Sequence, residues 1–358
     1  VAGKYSGPGI HSAGVAETAA NGRLYKMPPA NSFARETGGL NRSYVQLDLI
    51  TKKAAPTIDL ISALLLLALA AVWGGSFFFA EVALAEVPPL TITLHRVFWA
   101  VPALLLVVLW RGTTIPKSPR TWFAYLVMGA LNNAIPFSLI FWGQKTIESG
   151  LASILNGTTA VFGAVVSGLL LVDESLTSRK ILGAVFGVFG VAVIMGFDAL
   201  TNLDPRNLAQ LAVLAASLSY AFASVWGKTC LSDNAPEMNA LGMLMGSSVL
   251  MIPIAIWSDG LPVLSLSPNV WASLISVAIL STAVAYLLYF AILARAGAAN
   301  LMLVTLLIPP FAIGLGVIFL GEQLGIEAWI GFGLIAVGLA ITDGRMLAKV
   351  RKLMGTRT

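Results

Sequence analysis

Arg96 stands early in the apolar run 90–110, and a guanidinium among leucines and valines has three tasks open to it. It can snorkel to a headgroup layer, present its forked N–H donors to a substrate carboxylate, or pair with Glu81 as a gate. His95 precedes it, about 100° away around a helix, so the two cannot face one surface squarely. Asn132 and Asn133 lie near the middle of another apolar run, with Pro136 one turn later. Buried amides need hydrogen-bond partners, and the proline frees a backbone carbonyl that can line a cavity. The same amides also suit the role of glue between helices. Asn156, Thr158 and Thr159 form a third polar group, and Thr305 precedes Pro309-Pro310. That double proline removes two backbone donors and kinks a helix, as a hinge or as a fixed bend. Ser281, Thr282, Tyr286 and Tyr289, then Ser219 and Tyr220, then Trp73 and Ser76 complete a polar and aromatic set. Each ring is also an ordinary packing residue on its own.

Other chemistries lack their residues. Cys230 is the single cysteine, so no intrachain disulfide can form, and His95 has no suitably spaced acid or thiol for nucleophilic or metal-assisted work. A membrane-embedded enzyme is thereby the weakest alternative, and no cofactor or metal is expected.

The elements that must position these residues follow from composition. A hydrophobic fraction of 57% with 11% charged residues and a mean hydropathy of +0.85 leaves too little charge to cover a water-facing surface. The chain reads as an all-α integral membrane protein, because long apolar segments satisfy their backbone groups as helices and not as a barrel. Ten segments have bilayer length: 57–79, 90–110, 121–142, 150–172, 180–198, 207–227, 239–257, 269–293, 298–320 and 326–342. Residues 1–56 lack apolar periodicity and read as a disordered cytoplasmic tail. Residues 343–358 read as a basic cytoplasmic tail.

Charge placement orients the spans. Arg111, Lys117, Arg120, Arg179, Lys180, Lys228 and Arg295 fall on one side, while Lys145 and Arg206 alone fall on the other together with Glu86, Asp204, Asp259, Glu322 and Glu327. The basic side is cytoplasmic, which puts both termini in the cytoplasm of an inner membrane protein. The net charge of +5 is then a topology signal, and nucleic acid is excluded as a partner.

The stretch Gly150–Gly190 occurs twice. A shift of 148 positions lays Leu155 on Leu303, Ala164 on Ala312, Gly168 on Gly316, Glu174 on Glu322, Gly183 on Gly331 and Gly190 on Gly338. Ten spans in two copies give five per copy, and an odd number forces the second copy upside down relative to the first. Residues 57–198 and 207–342 are therefore read as two inverted five-helix repeats, the architecture of alternating access. Trp73 and Tyr220 are approximate mates in this alignment, whereas Val304 faces Asn156, so a site around Asn156 must be asymmetric.

Trp73-Gly74-Gly75-Ser76, Arg96, Ser149-Gly150-Leu151-Ala152 through Asn156-Gly157-Thr158-Thr159, and Gly321-Glu322, set in this span pattern, resemble the ten-span EamA-type exporters of the drug/metabolite transporter superfamily. The chain departs from that pattern at Asp173-Glu174, where Gly-Glu is common, and at Glu81-Val82, where a basic residue is common. The resemblance implies a central cavity, a small-molecule cargo and no prosthetic group.

Aromatic walls and Arg96 together point to an amino acid or a similar organic anion as the exported cargo. A drug or organic-cation efflux antiporter is the alternative, and the lack of Asp or Glu in the middle third of any span weighs against it. Trp73, Ser76, Arg96, Asn132, Asn133, Asn156, Thr159, Tyr220, Ser281, Tyr286 and Thr305 are the expected substrate-binding residues, with Pro136, Pro309 and Pro310 as hinges. The expected partners are the cargo and the lipid bilayer. A coupling proton stays open, and the chain is expected as a monomer or weak homodimer.

Overall fold

A computed structural model describes residues 59–171, 176–195, 204–301 and 303–343. Both tails and the pair Asp173-Glu174 lie outside the described residues. The described chain forms ten helical rods: α1 Leu60–Leu84, α2 Pro89–Trp110, α3 Pro119–Gly143, α4 Ser149–Leu170, α5 Ser178–Met195, α6 Pro205–Cys230, α7 Pro236–Asp259, α8 Pro268–Gly297, α9 Val304–Leu320 and α10 Ile326–Asp343. The first eight are long and apolar enough to cross a bilayer, and α9 and α10 are shorter apolar helices. Alternate rods run in opposite directions, so the five-helix units α1–α5 and α6–α10 are inverted relative to one another. Boundaries differ from the hydropathy reading most at α9, which starts at Val304 instead of near 298, and at α1, which continues to Leu84 instead of ending near 79. Apolar residues past 79 and the short loop before Pro88 let it run on.

Capping between helices distant in sequence fixes the end of the bundle where α1 finishes and α2 begins. A helix N-terminus leaves backbone N–H groups unpaired and carries partial positive charge, so a carboxylate there is stabilising. Asp259, closing α7, accepts from the Thr91 backbone N–H at 3.0 Å and from its hydroxyl at 2.9 Å. Glu86 accepts from the Ser267 N–H at 2.8 Å. Glu322, after α9, accepts from Ser149 N–H at 2.7 Å and Gly150 N–H at 3.0 Å, capping α4. At the opposite end Asp59 caps its own helix through Ser62 N–H and pairs with Arg295 at 2.9 Å.

Two helices stand apart from the central set. α5 and α10 pack chiefly on each other, and their glycines make the backbones touch. A Cβ on Gly190 would lie 2.8 Å from the Gly331 carbonyl, and one on Gly338 would lie 2.6 Å from that of Gly183. The small-residue stripe of α5 is thus spent inside the chain, with Gly187 against Val161 of α4. The remaining eight helices enclose the polar residues.

Candidate functional site

The site is built on two wide helical turns. In α3, residues Ala130–Ala134 form a π-turn in which Ile135 N–H bonds the Ala130 carbonyl. That leaves the Leu131 carbonyl without its ordinary partner, and the next candidate, Pro136, has no N–H to give. The Ser219 hydroxyl of α6 supplies the missing donor at 2.7 Å. The carbonyl left free beside Pro136 is closed by a neighbouring helix instead of lining open space. In α8, residues Ser276–Val284 are a longer π-segment, and there the Thr282 hydroxyl bonds the Val277 carbonyl five residues back. Such turns push side chains out of the usual helical register and concentrate at functional sites.

Arg96 enters between these turns. It lies about 10 Å into α2 from Pro89, is 7% exposed, and does not snorkel. Its Nε donates to the Thr282 hydroxyl at 3.1 Å, one terminal nitrogen to the Ser76 hydroxyl at 2.8 Å, and the other approaches the Ser281 carbonyl at 3.5 Å. Its guanidinium carbon sits 3.7 Å from the centre of the Phe137 ring and 5.9 Å from that of Phe141. The gate pairing with Glu81 is not formed. Glu81 instead accepts from Gln144 at 3.1 Å, and among the described residues no carboxylate stands at ion-pair distance from Arg96. Every partner the guanidinium has is neutral.

The amide pair joins the same region. Asn132 Nδ2 donates to Tyr286 at 3.3 Å, Tyr286 OH donates to Asn133 Oδ1 at 3.4 Å, and Asn133 Nδ2 donates to the Ser247 hydroxyl at 3.2 Å. Asn133 is fully buried and linked to α7, the gluing role, while Asn132 and Tyr286 are the partly open members. Tyr220 meets the Phe137 ring edge-on at 6.5 Å. Trp73 packs on Tyr289 at 6.1 Å, and the Ser281 hydroxyl bonds the Val72 carbonyl at 2.9 Å. Trp73 and Tyr220 thus each pair with a different ring. Helices α1, α2, α3, α6 and α8 all contribute.

These helices are held in a double pattern that extends over most of the chain. The EamA-like transporter family matches twice, over residues 60–196 and 207–342. The chain belongs to this family. Among related transporters, the uncharacterized transporter YoaV of Bacillus subtilis is 27% identical over 270 residues, covering 75% of this chain and 91% of that protein. The uncharacterized transporter YvbV of the same organism is 28% identical over 297 residues, covering 82% of this chain and 95% of that protein. The uncharacterized inner membrane transporter YedA of Escherichia coli is 25% identical over 286 residues, covering 79% and 90%. One solved crystal structure superposes with a TM-score of 0.58 at 18% identity, covering 80% of this chain and 98% of that one. At that identity it shows the fold alone. This EamA protein is a multi-pass membrane transporter.

The remaining expected residues of this EamA transporter sit elsewhere. Asn156 and Thr159 flank an interruption of α4, where Thr159 Oγ1 bonds the Asn156 carbonyl at 2.7 Å and the Ser217 hydroxyl approaches that carbonyl at 3.5 Å. These bonds tie the interruption to itself and to α6, and neither involves a residue of the Arg96 cluster. The same interruption recurs before α9, between Ala298–Leu301 and Val304–Leu315, and Thr305 lies just after it. The broken fourth helix is a shared feature of both repeats, as in transporters whose discontinuous helices approach the substrate region. Pro309 and Pro310 do not interrupt α9, since Val304–Leu315 stays helical through both. The change of helical pitch comes later, at the π-turn Gly316–Leu320. Pro309 lies beside the close α1 crossing, where a Cβ on Gly74 would stand 2.9 Å from the Ile308 carbonyl. Phe137 and Gln144 were not singled out in sequence. Phe137 follows Pro136 and carries no polar signal, so only its stack on Arg96 reveals it.

Proposed function

We propose that this transporter moves amino acids or closely related carboxylate-bearing metabolites out of the cell by alternating access. The observation that carries the reading is Arg96: a buried guanidinium whose donors meet only hydroxyls and a carbonyl, with aromatic rings beside it. A guanidinium binds a carboxylate through two parallel charge-assisted hydrogen bonds. The neutral partners can give way to a carboxylate, whereas an acid already paired to Arg96 would compete with it. Tyr220, Tyr286 and Trp73 supply apolar faces for the rest of an amphipathic cargo. A cationic drug finds no counter-charge in this cluster and a resident positive charge instead.

The inverted repeats supply the two arrangements that alternating access needs. The basic loops at Arg111, Lys228 and Arg295 support an orientation with both termini in the cytoplasm. The test is reconstitution in liposomes with a panel of labelled amino acids and their decarboxylated amines. Counterflow of an amino acid but not of its amine is expected. No flux for any carboxylate-bearing member would overturn the reading.

A further inference from the structure

Three carboxylates converge where α1, α3, α4 and α9 end or begin, and they are compensated unequally. Glu322 is held by two backbone N–H groups at the start of α4. Glu148 pairs with Arg206 at 3.3 Å. Glu81, one turn from the end of α1, has a single neutral partner, the Gln144 amide nitrogen at 3.1 Å. Glu81 is thus the one carboxylate of the three with neither a backbone N–H nor a cation as donor.

Gln144 adds the independent observation. It is 2% exposed, and its Oε1 has no hydrogen-bond partner. The amide cannot be turned over to cure this, because Nε2 also donates to the Phe77 carbonyl at 2.9 Å and an oxygen there would face another oxygen. Both amide hydrogens are spent, and the buried oxygen of the same group waits for a donor. A charged Glu81 has none to offer. A protonated Glu81 has one.

We propose that Glu81 and Gln144 form a proton-binding site through which this transporter couples cargo movement to a proton gradient. The inference rests on the transport reading above and adds the residue that carries the coupling. Proton binding removes a charge from a membrane span, and it gives the pair an O–H to direct at Gln144 Oε1. Glu81 keeps part of its surface open, one turn from the end of α1. Its position also connects it to the cargo cluster. Ser76, which accepts from Arg96, lies on the same helix about 7.5 Å deeper, and Phe137, beneath Arg96, lies on α3, which Gln144 directly follows. The titratable and charged groups on the packed elements are Glu148 before α4, Glu322 after α9, Lys145 after α3, and Arg96 deeper on α2. A shift of α1 against α3 on discharge of Glu81 therefore moves two of the helices that hold the guanidinium.

The experiment uses the full chain in proteoliposomes, with the labelled amino-acid panel as the probe, read by counterflow and by accumulation driven by an imposed pH gradient. Wild-type protein is expected to do both, and Glu81→Gln is expected to retain counterflow while losing gradient-driven accumulation. Accumulation by Glu81→Gln at the wild-type level overturns the site and leaves transport standing. Accumulation driven by a sodium gradient at constant pH, and not by protons, overturns it as well. Absence of counterflow in the wild-type protein removes the transport reading instead. If Glu81→Gln cannot be purified as folded protein, Glu81→Asp takes its place. A displaced pH dependence of accumulation then supports the site, and an unmoved one overturns it.

Discussion

The guanidinium of Arg96 lies face-on to the ring of Phe137 at 3.7 Å, inside a membrane protein and with only neutral hydrogen-bond partners. A cation–π contact of this kind contributes roughly 2 kcal/mol when both partners are out of water. Phe137→Leu keeps an apolar side chain and removes the ring face. The expected result is about a tenfold higher amino-acid concentration for half-maximal counterflow, corresponding to about 1.4 kcal/mol. Arg96→Lys keeps the charge but cannot reach the Ser76 and Thr282 hydroxyls together, and loss of flux with an unchanged elution profile is expected. Unchanged flux in both variants would remove Arg96 from the cargo site.

Close helix crossing at α3 and α7 predicts a sharp contrast between two glycines. A Cβ on Gly129 would lie 2.5 Å from the Met243 carbonyl and 2.5 Å from the Ser247 N–H nitrogen, both backbone atoms, whereas one on Gly163 meets nothing within 4 Å. Gly129→Ala should destabilise by about 1–3 kcal/mol through forced separation of the backbones. Gly163→Ala should stabilise by roughly 0.5–1 kcal/mol through helix propensity. Thermal unfolding in one detergent, with both variants side by side, measures the difference in sign.

Asp59 gives an acid-side stability signature. Hydrogen bonding from Ser62, side chain first and backbone second, with Arg295 beyond it, holds this carboxyl down at about 2. A depressed carboxyl stabilises the fold above its ordinary range and loses that contribution as the proton is taken up. The window therefore runs from about pH 4 down to about 2. Asp59→Asn preserves a capping side chain and removes the titration. Its melting temperature should fall less steeply than that of wild type across this window, by a small margin since the group is exposed.

Cys230 offers a direct measurement of orientation. It is the only cysteine of the sequence and is exposed at the end of α6, beside Lys228. With the basic loops in the cytoplasm, a membrane-impermeant maleimide should label it in inverted vesicles and leave it unlabelled in intact cells. Labelling of intact cells would reverse the orientation.

The legibility of this chain followed the range of the interactions involved. Span number and alternation depend on residues close in sequence, such as the apolar runs and Pro88-Pro89, and the duplication is a match of the sequence to itself at an offset of 148 positions. Arg96, Ser76, Ser281 and Tyr286 were visible as polar or aromatic residues in apolar surroundings. Asn156 and Thr159 carried the same signal yet sit at a helix interruption against α6, because local polarity does not say which way a helix face turns.

The sequence by itself determined an inverted ten-helix membrane bundle, since the cost of exposing backbone to lipid leaves apolar segments of this length little other choice. Only the tertiary structure decided the partners of each polar group. Arg96 is paired with hydroxyls and Phe137 instead of Glu81, the Leu131 carbonyl orphaned by Pro136 is closed by Ser219, and Glu81 meets Gln144. Those choices depend on helix rotation and on the π-turns of α3 and α8. Both are set by packing between residues far apart in the chain, which no local pattern encodes.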